Sequence, residues 1–125
     1  MLFRSDARAN GFVTTLSGRK RALPDLNSSN HNVRSNAERV AINTPVQGTA
    51  ADMIKIAMIA LHRLDTAKRW GARLVLQVHD ELVFTLPEGT AMVFESVVRQ
   101  HMEGAMALDV PLRVDVKTGR NWAEC

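Results

Sequence analysis

The stretch Gln77-Val78-His79-Asp80-Glu81-Leu82-Val83 decides how this chain is read. Before it, Leu74, Leu76 and Val78 alternate with Val75 and Gln77; after it, Leu82, Phe84 and Leu86 alternate with Val83 and Thr85. Alternation of period two on both sides of a polar break predicts a β-hairpin, with His79-Asp80-Glu81 at its tip. The tip lacks Asn-Gly or Asp-Gly, the pairs that favour tight two-residue turns. Its adjacent carboxylates repel one another, so an ordinary turn gains little from them. A hard cation such as Mg²⁺, which prefers oxygen ligands, gives both a purpose. An exposed acidic turn is the plain alternative.

Outward from the tip, the chain alternates hairpins and helices. Gly11 to Leu16, Ser17-Gly18 and Arg19 to Leu23 read as a second hairpin with a Ser-Gly turn, stopped by Pro24 and Asp25. Residues 1–10 read as a frayed polar segment, cut rather than designed, and 11–125 as the folded part. Asn27 to Asn32 is a polar connector. Val33, Ala37, Val40 and Ala41 recur at helical spacing, predicting a short helix from about Asn32 to Asn43 that Pro45 ends. Thr44 as N-cap, Pro45 at the first helical position and Gln47 closing a capping box predict a clean start for a second helix. Its stripe is Ala50, Met53, Ile54, Ala57, Met58, Leu61 and Leu64, and Lys68, Arg69 and Gly71 mark its end. Residues 91–107 are read as a third helix with Met92, Val93, Val97, Met102 and Met106 as core. Leu112, Val114 and Val116 alternate as a half-buried strand. Trp70 and Trp122 are read as covers for core edges. The fold class is α+β, antiparallel β-hairpins packed against helices.

Composition narrows the function. An apolar fraction of 46% over 125 residues suits one folded domain or a piece of one. No stretch approaches the roughly 20 uninterrupted apolar residues that span a bilayer, and the best candidate, Met53 to Leu61, is cut by Lys55. Cys125, the only cysteine, excludes an internal disulfide and points to a reducing compartment. The net charge of +3 divides unevenly, +4 over residues 1–45 and −1 over 46–125. A basic front beside a carboxylate tip suits a polyanion surface next to a metal site, although a solvated basic face explains the charge as well.

The run Arg39-Val-Ala-Ile-Asn43-Thr-Pro-Val-Gln47-Gly-Thr-Ala-Ala-Asp52, followed by Gln77-Val-His-Asp-Glu-Leu-Val83, resembles the C-terminal part of the palm in a family A DNA polymerase of the bacterial DNA polymerase I type. Gly18-Arg19-Lys20-Arg21, Leu23-Pro24-Asp25 and Gly119-Arg120-Asn121-Trp122 fit the same family. The resemblance covers roughly Gly11 to Trp122 and is specific through the order and spacing of its motifs together.

That resemblance implies template-directed DNA synthesis, with primer–template DNA and deoxynucleoside triphosphates as partners and Mg²⁺ as cofactor. Asp80 is then one of two aspartates that hold the catalytic metals, with Glu81 an auxiliary carboxylate beside it. The chemistry is attack of the primer 3′-hydroxyl on the α-phosphate of the incoming nucleotide, and two metals clamp the attacking and leaving oxygens. His79 is implied to position the primer end; bonding to nearby backbone is the plainer reading. His31, His62 and His101 lack metal-ligand spacing and read as surface residues. Arg39, Asn43 and Gln47 are spaced four apart, one face of a continuous helix, although the break at Pro45 leaves Gln47 free to depart from it. The family implies that they touch the minor groove. Its acceptors form a degenerate pattern, so donors there sense pair geometry without choosing sequence. The alternatives are a solvated Arg39, a helix-ending Asn43 and a Gln47 occupied by its capping box. Arg34, Arg19 and Arg21 are candidate phosphate contacts or members of a solvated face.

The second metal-binding aspartate, the fingers helix and most of the thumb have no counterpart here. The chain is therefore expected to be inactive alone and to act with the remainder of the polymerase domain, joined or split. The resemblance places it in the cytoplasm at the nucleoid, with no membrane. A non-catalytic duplex DNA-binding module and a small metal-dependent phosphohydrolase remain as other function classes.

Overall fold

In a computed structural model, residues 2–125 are described, with side chains from Asp6 onward; Met1 lies outside the described residues. The chain divides into two units, Met1–Asp52 and Met53–Cys125, each with its own small core.

The first unit begins with a helix, α1 (Leu2–Asn10), in place of the expected frayed end. Ala7 explains the difference: it is buried in the core, and its carbonyl accepts from Gly11 N–H at 2.8 Å. Arg8 pairs with Glu38. Strands β1 (Phe12–Thr14) and β2 (Lys20–Ala22) form the expected hairpin in antiparallel register, Phe12 opposite Ala22 and Thr14 opposite Lys20. Its tip is closed by Gly18 N–H to Thr15 O at 2.9 Å, with Gly18 at φ +88°, where a side chain is strained. After a 3₁₀ turn over Pro24–Asn27, the side chain of Asn30 caps α2 (His31–Asn43) by accepting from Asn32 and Val33 N–H. Val13, Leu23, Leu26, Ala37 and Ala41 close the core with Ala7.

Pro45 does not end this helix. Helical backbone continues through a π-turn, Thr44–Gly48, into α3 (Thr49–Arg63). Thr44 has φ −59° and ψ −44°, not the extended backbone of an N-cap, and its hydroxyl donates back to Val40 O at 2.8 Å. The predicted capping box is therefore not formed. Pro45 stands at the start of this π-turn, where its missing N–H interrupts the i→i−4 ladder, and single π-turns concentrate at functional sites.

The second unit takes up α3 from Met53. The helix stops at Arg63, short of the expected Gly71, because Asp65 turns left-handed at φ +53°. A separate short helix, α4 (Thr66–Trp70), ends at Gly71, φ +67°. Strands β3 (Arg73–Val78) and β4 (Glu81–Thr85) form the predicted hairpin, and α5 (Ala91–Glu103) follows. The strict alternation expected in β3 is broken: Leu74 faces Phe84 and Leu76 faces Val83, so Val75 sits in a bulge. Phe94 and Val98 of α5, Leu61 and Ala72 are the core, with Phe84 edge-on to Phe94 at 5.0 Å. Met92 and Val93 are not core: they are 85% and 58% exposed, because the buried face of α5 runs through 94 and 98.

Beyond α5, Leu112, Val114 and Val116 keep alternating half-burial, yet no strand forms there. Val114 N–H donates to Glu103 Oε1 at 3.0 Å, and Val114 O accepts from Arg99 Nη1 at 2.7 Å. Side chains of α5 thus satisfy the backbone that a neighbouring strand would otherwise pair. Trp70 packs against Phe94 as expected, whereas Trp122 is 54% exposed and covers no core.

Candidate functional site

The carboxylate tip is a two-residue loop, His79-Asp80, with Val78 paired to Glu81 across it. Glu81 is therefore the first residue of β4 rather than part of the loop. His79 takes φ +53°, the left-handed turn that this tip adopts without a glycine. Such backbone in a non-glycine residue costs on the order of 1 kcal/mol or more, and it concentrates at functional sites. His79, Asp80 and Glu81 are all exposed, and Gln77 Nε2 reaches His79 O at 3.4 Å.

In the first unit, Arg19, Arg21, Asn43 and Gln47 line a cavity of about 140 Å³ together with Val40, Thr44 and Gly48. The π-turn brings this about, since it carries helical backbone past Pro45 with both amide side chains at the cavity wall and exposed. Arg39 is exposed on α2 but does not line this cavity. Arg34 is partly committed elsewhere: its Nη1 donates to Ser28 O at 3.0 Å, tying the connector to α2.

Sequence alone assigns no role to Asp52. Its carboxylate is buried and accepts from Thr15 Oγ1 at 2.6 Å, Ser17 Oγ at 2.6 Å and Arg19 Nε at 2.8 Å. The hydroxyls of Ser17 and Thr15, and then Arg19, outweigh the opposing effect of burial and hold its pKa down at about 2. Next to it, Leu16 N–H donates to Thr49 Oγ1 at 3.0 Å, and that hydroxyl donates to Pro45 O. The first-hairpin tip is thereby latched to the start of α3. The available signal is an acid in the first turn of α3, which needs partners once it is buried; spacing does not say that they lie more than thirty residues upstream.

The profile of DNA polymerase family A matches residues 3–124. The chain belongs to this family. It is 51% identical over 117 residues to DNA polymerase I of Bacillus subtilis, which covers 94% of this chain and 13% of that protein. With the thermostable DNA polymerase I of Thermus filiformis it shares 52% over 119 residues, 95% of this chain and 14% of the other. It superposes with a TM-score of 0.92, at 48% identity and over 98% of its length, on 22% of the polymerase domain of Pol1 from M. smegmatis, a complex with primer–template DNA and dNTP. The chain thus spans about one seventh of the curated family A relatives it matches.

For a divalent metal, the chain offers the oxygens of Asp80 and Glu81; among the described residues no group of three His, Cys, Asp or Glu side chains gathers to hold an ion. Mg²⁺ keeps several waters and takes one or two carboxylates together with substrate phosphates. The tip fits a share of such a site. Among the described residues no helix is long and apolar enough to cross a membrane.

Proposed function

We propose that this chain is the C-terminal palm portion of a DNA-directed DNA polymerase and performs template-directed synthesis together with the rest of that domain. The observation that carries the proposal is the exposed Asp80–Glu81 pair, held on a two-residue hairpin tip by a left-handed His79, in a chain about half identical to DNA polymerase I across nearly its whole length. Nucleotidyl transfer develops negative charge on phosphoryl oxygens, and Mg²⁺ bound at Asp80, with Glu81 beside it, would neutralise that charge. His79 flanks the acids and orients the primer end. Asn43 and Gln47, with Arg39 on the same helix, donate to minor-groove acceptors and so test the shape of the newest base pair. Arg34 keeps spare N–H groups for the backbone of the duplex. The M. smegmatis relative is a complex with primer–template DNA and dNTP, and the same ligands are proposed here.

The remainder of the domain supplies the second aspartate and the nucleotide-binding side chains. The bulged, apolar β3 supports this. Leu74, Val75 and Leu76 are 37%, 55% and 41% exposed, and a near-continuous apolar run suits a strand covered on both faces. Mixing the chain with an upstream polymerase segment is expected to restore primer extension that neither part shows alone. Duplex binding without any restored synthesis would favour a non-catalytic binding module, and phosphatase or nuclease activity of the isolated chain would favour a hydrolase.

A further inference from the structure

We propose that Asp52 is a positioning residue that aims Arg19 at a phosphate of the bound duplex. The inference rests on the duplex-binding reading above and adds to it a residue that makes no contact with DNA itself. Arg19 stands on the tip of the first hairpin, where an unrestrained side chain would sample many rotamers. Asp52 takes that freedom away: Oδ1 accepts from Nε at 2.8 Å, while Oδ2 is held by the hydroxyls of Thr15 and Ser17, both at 2.6 Å. Two atoms of the carboxylate thus have separate duties, one fixing the loop and one fixing the guanidinium.

The arginine is not consumed by this pairing. Its side chain remains 50% exposed against 7% for Asp52. Nη2 makes one long contact, 3.5 Å, to Gly48 O, and Nη1 makes no hydrogen bond among the described residues. The guanidinium lines the cavity that holds Asn43 and Gln47. A guanidinium anchored through Nε keeps its terminal N–H groups in the planar fork that matches phosphate oxygens. Amide donors at the wall and a fixed cation beside them fit a groove floor and its flanking backbone.

The close packing around Arg19 explains Gly48 as well. A Cβ there would lie 2.7 Å from Thr15 Cγ2 and 3.5 Å from Arg19 Nη2, so a side chain would push the hairpin tip off the helix.

The test is the salt dependence of duplex binding by the full chain, followed by fluorescence anisotropy of a labelled primer–template. Each neutralised phosphate adds about 0.9 to the slope of log K against log salt. Arg19→Ala should lower the slope by about that amount. Asp52→Asn should lower it toward the same value, and the double variant should fall no further than Arg19→Ala alone. Arg19→Lys keeps the charge on an exposed side chain but cannot present Nε to Asp52; it should behave like Arg19→Ala. Asn30→Ala, which removes the cap of α2 and leaves the Asp52 contacts intact, should keep the unaltered slope. An unaltered slope in Asp52→Asn or Arg19→Lys, additive losses in the double variant, or a reduced slope in Asn30→Ala overturns the proposal. If the unaltered chain fails to bind duplex at all, the duplex-binding reading fails and this inference with it; binding with an unchanged Arg19→Ala slope overturns the inference alone.

Discussion

At the scale of single residues, two side chains accept a cost that the surrounding fold covers. His79 sits at φ +53°, where glycine is comfortable and histidine is not. His79→Gly should therefore leave the hairpin as stable or stabilise it by up to about 1 kcal/mol, while slowing incorporation in the assembled polymerase. Thermal melting and single-nucleotide incorporation measured together check this; a variant both less stable and equally fast would contradict it. Asp52 is a buried acid held at a pKa of about 2, below the ordinary 3.8. Because its folded pKa is depressed, the stability it contributes is complete above pH 3.8 and is lost as pH falls through about 2. Asp52→Asn should flatten the pH dependence of the melting temperature across that window, and parallel curves for the two proteins would contradict the assignment. The candidate site is legible in the sequence where its residues are contiguous, as in His79-Asp80-Glu81, or share one helix, as in Asn43 and Gln47. Asp52 is not legible, because its three partners lie across a tertiary contact.

At the scale of elements, hairpins and helices are readable from periodicity, and their interruptions are not. Pro45 predicts a break on local grounds, but the backbone passes it through a π-turn and keeps one helical path. Gly71 reads as a helix end, and it is one, for a shorter helix than expected. Its φ is +67°, and a Cβ at this position would lie 2.9 Å from the Pro87 ring, so it tolerates no side chain. Gly71→Ala should cost more than about 1 kcal/mol of stability, read by chemical denaturation; a neutral effect would show that α4 and the chain after β4 can part freely. The alternation of Leu112, Val114 and Val116 is correct as burial and wrong as a strand, since periodicity reports which side chains are covered and not which backbone is paired.

At the scale of the whole molecule, membership in DNA polymerase family A and the small share of its relatives' length that the chain spans give one consistent account. The apolar β3 is half open to solvent, and we propose it as the edge on which the remainder of the domain docks. Adding the upstream polymerase segment should slow hydrogen exchange at the amides of residues 73–78 by at least about tenfold, or ~1.4 kcal/mol; unchanged exchange would mean that this edge is not where the remainder docks. The central claim is chemical and concerns Asp80. Its most direct test is the single-turnover rate of nucleotide incorporation by the assembled polymerase carrying Asp80→Asn, measured with duplex binding saturated. The account predicts a fall of about a thousandfold, the several kcal/mol that charge stabilisation at such a centre contributes, with duplex affinity unchanged. Incorporation at the unaltered rate, or a loss explained wholly by weaker duplex binding, would contradict it.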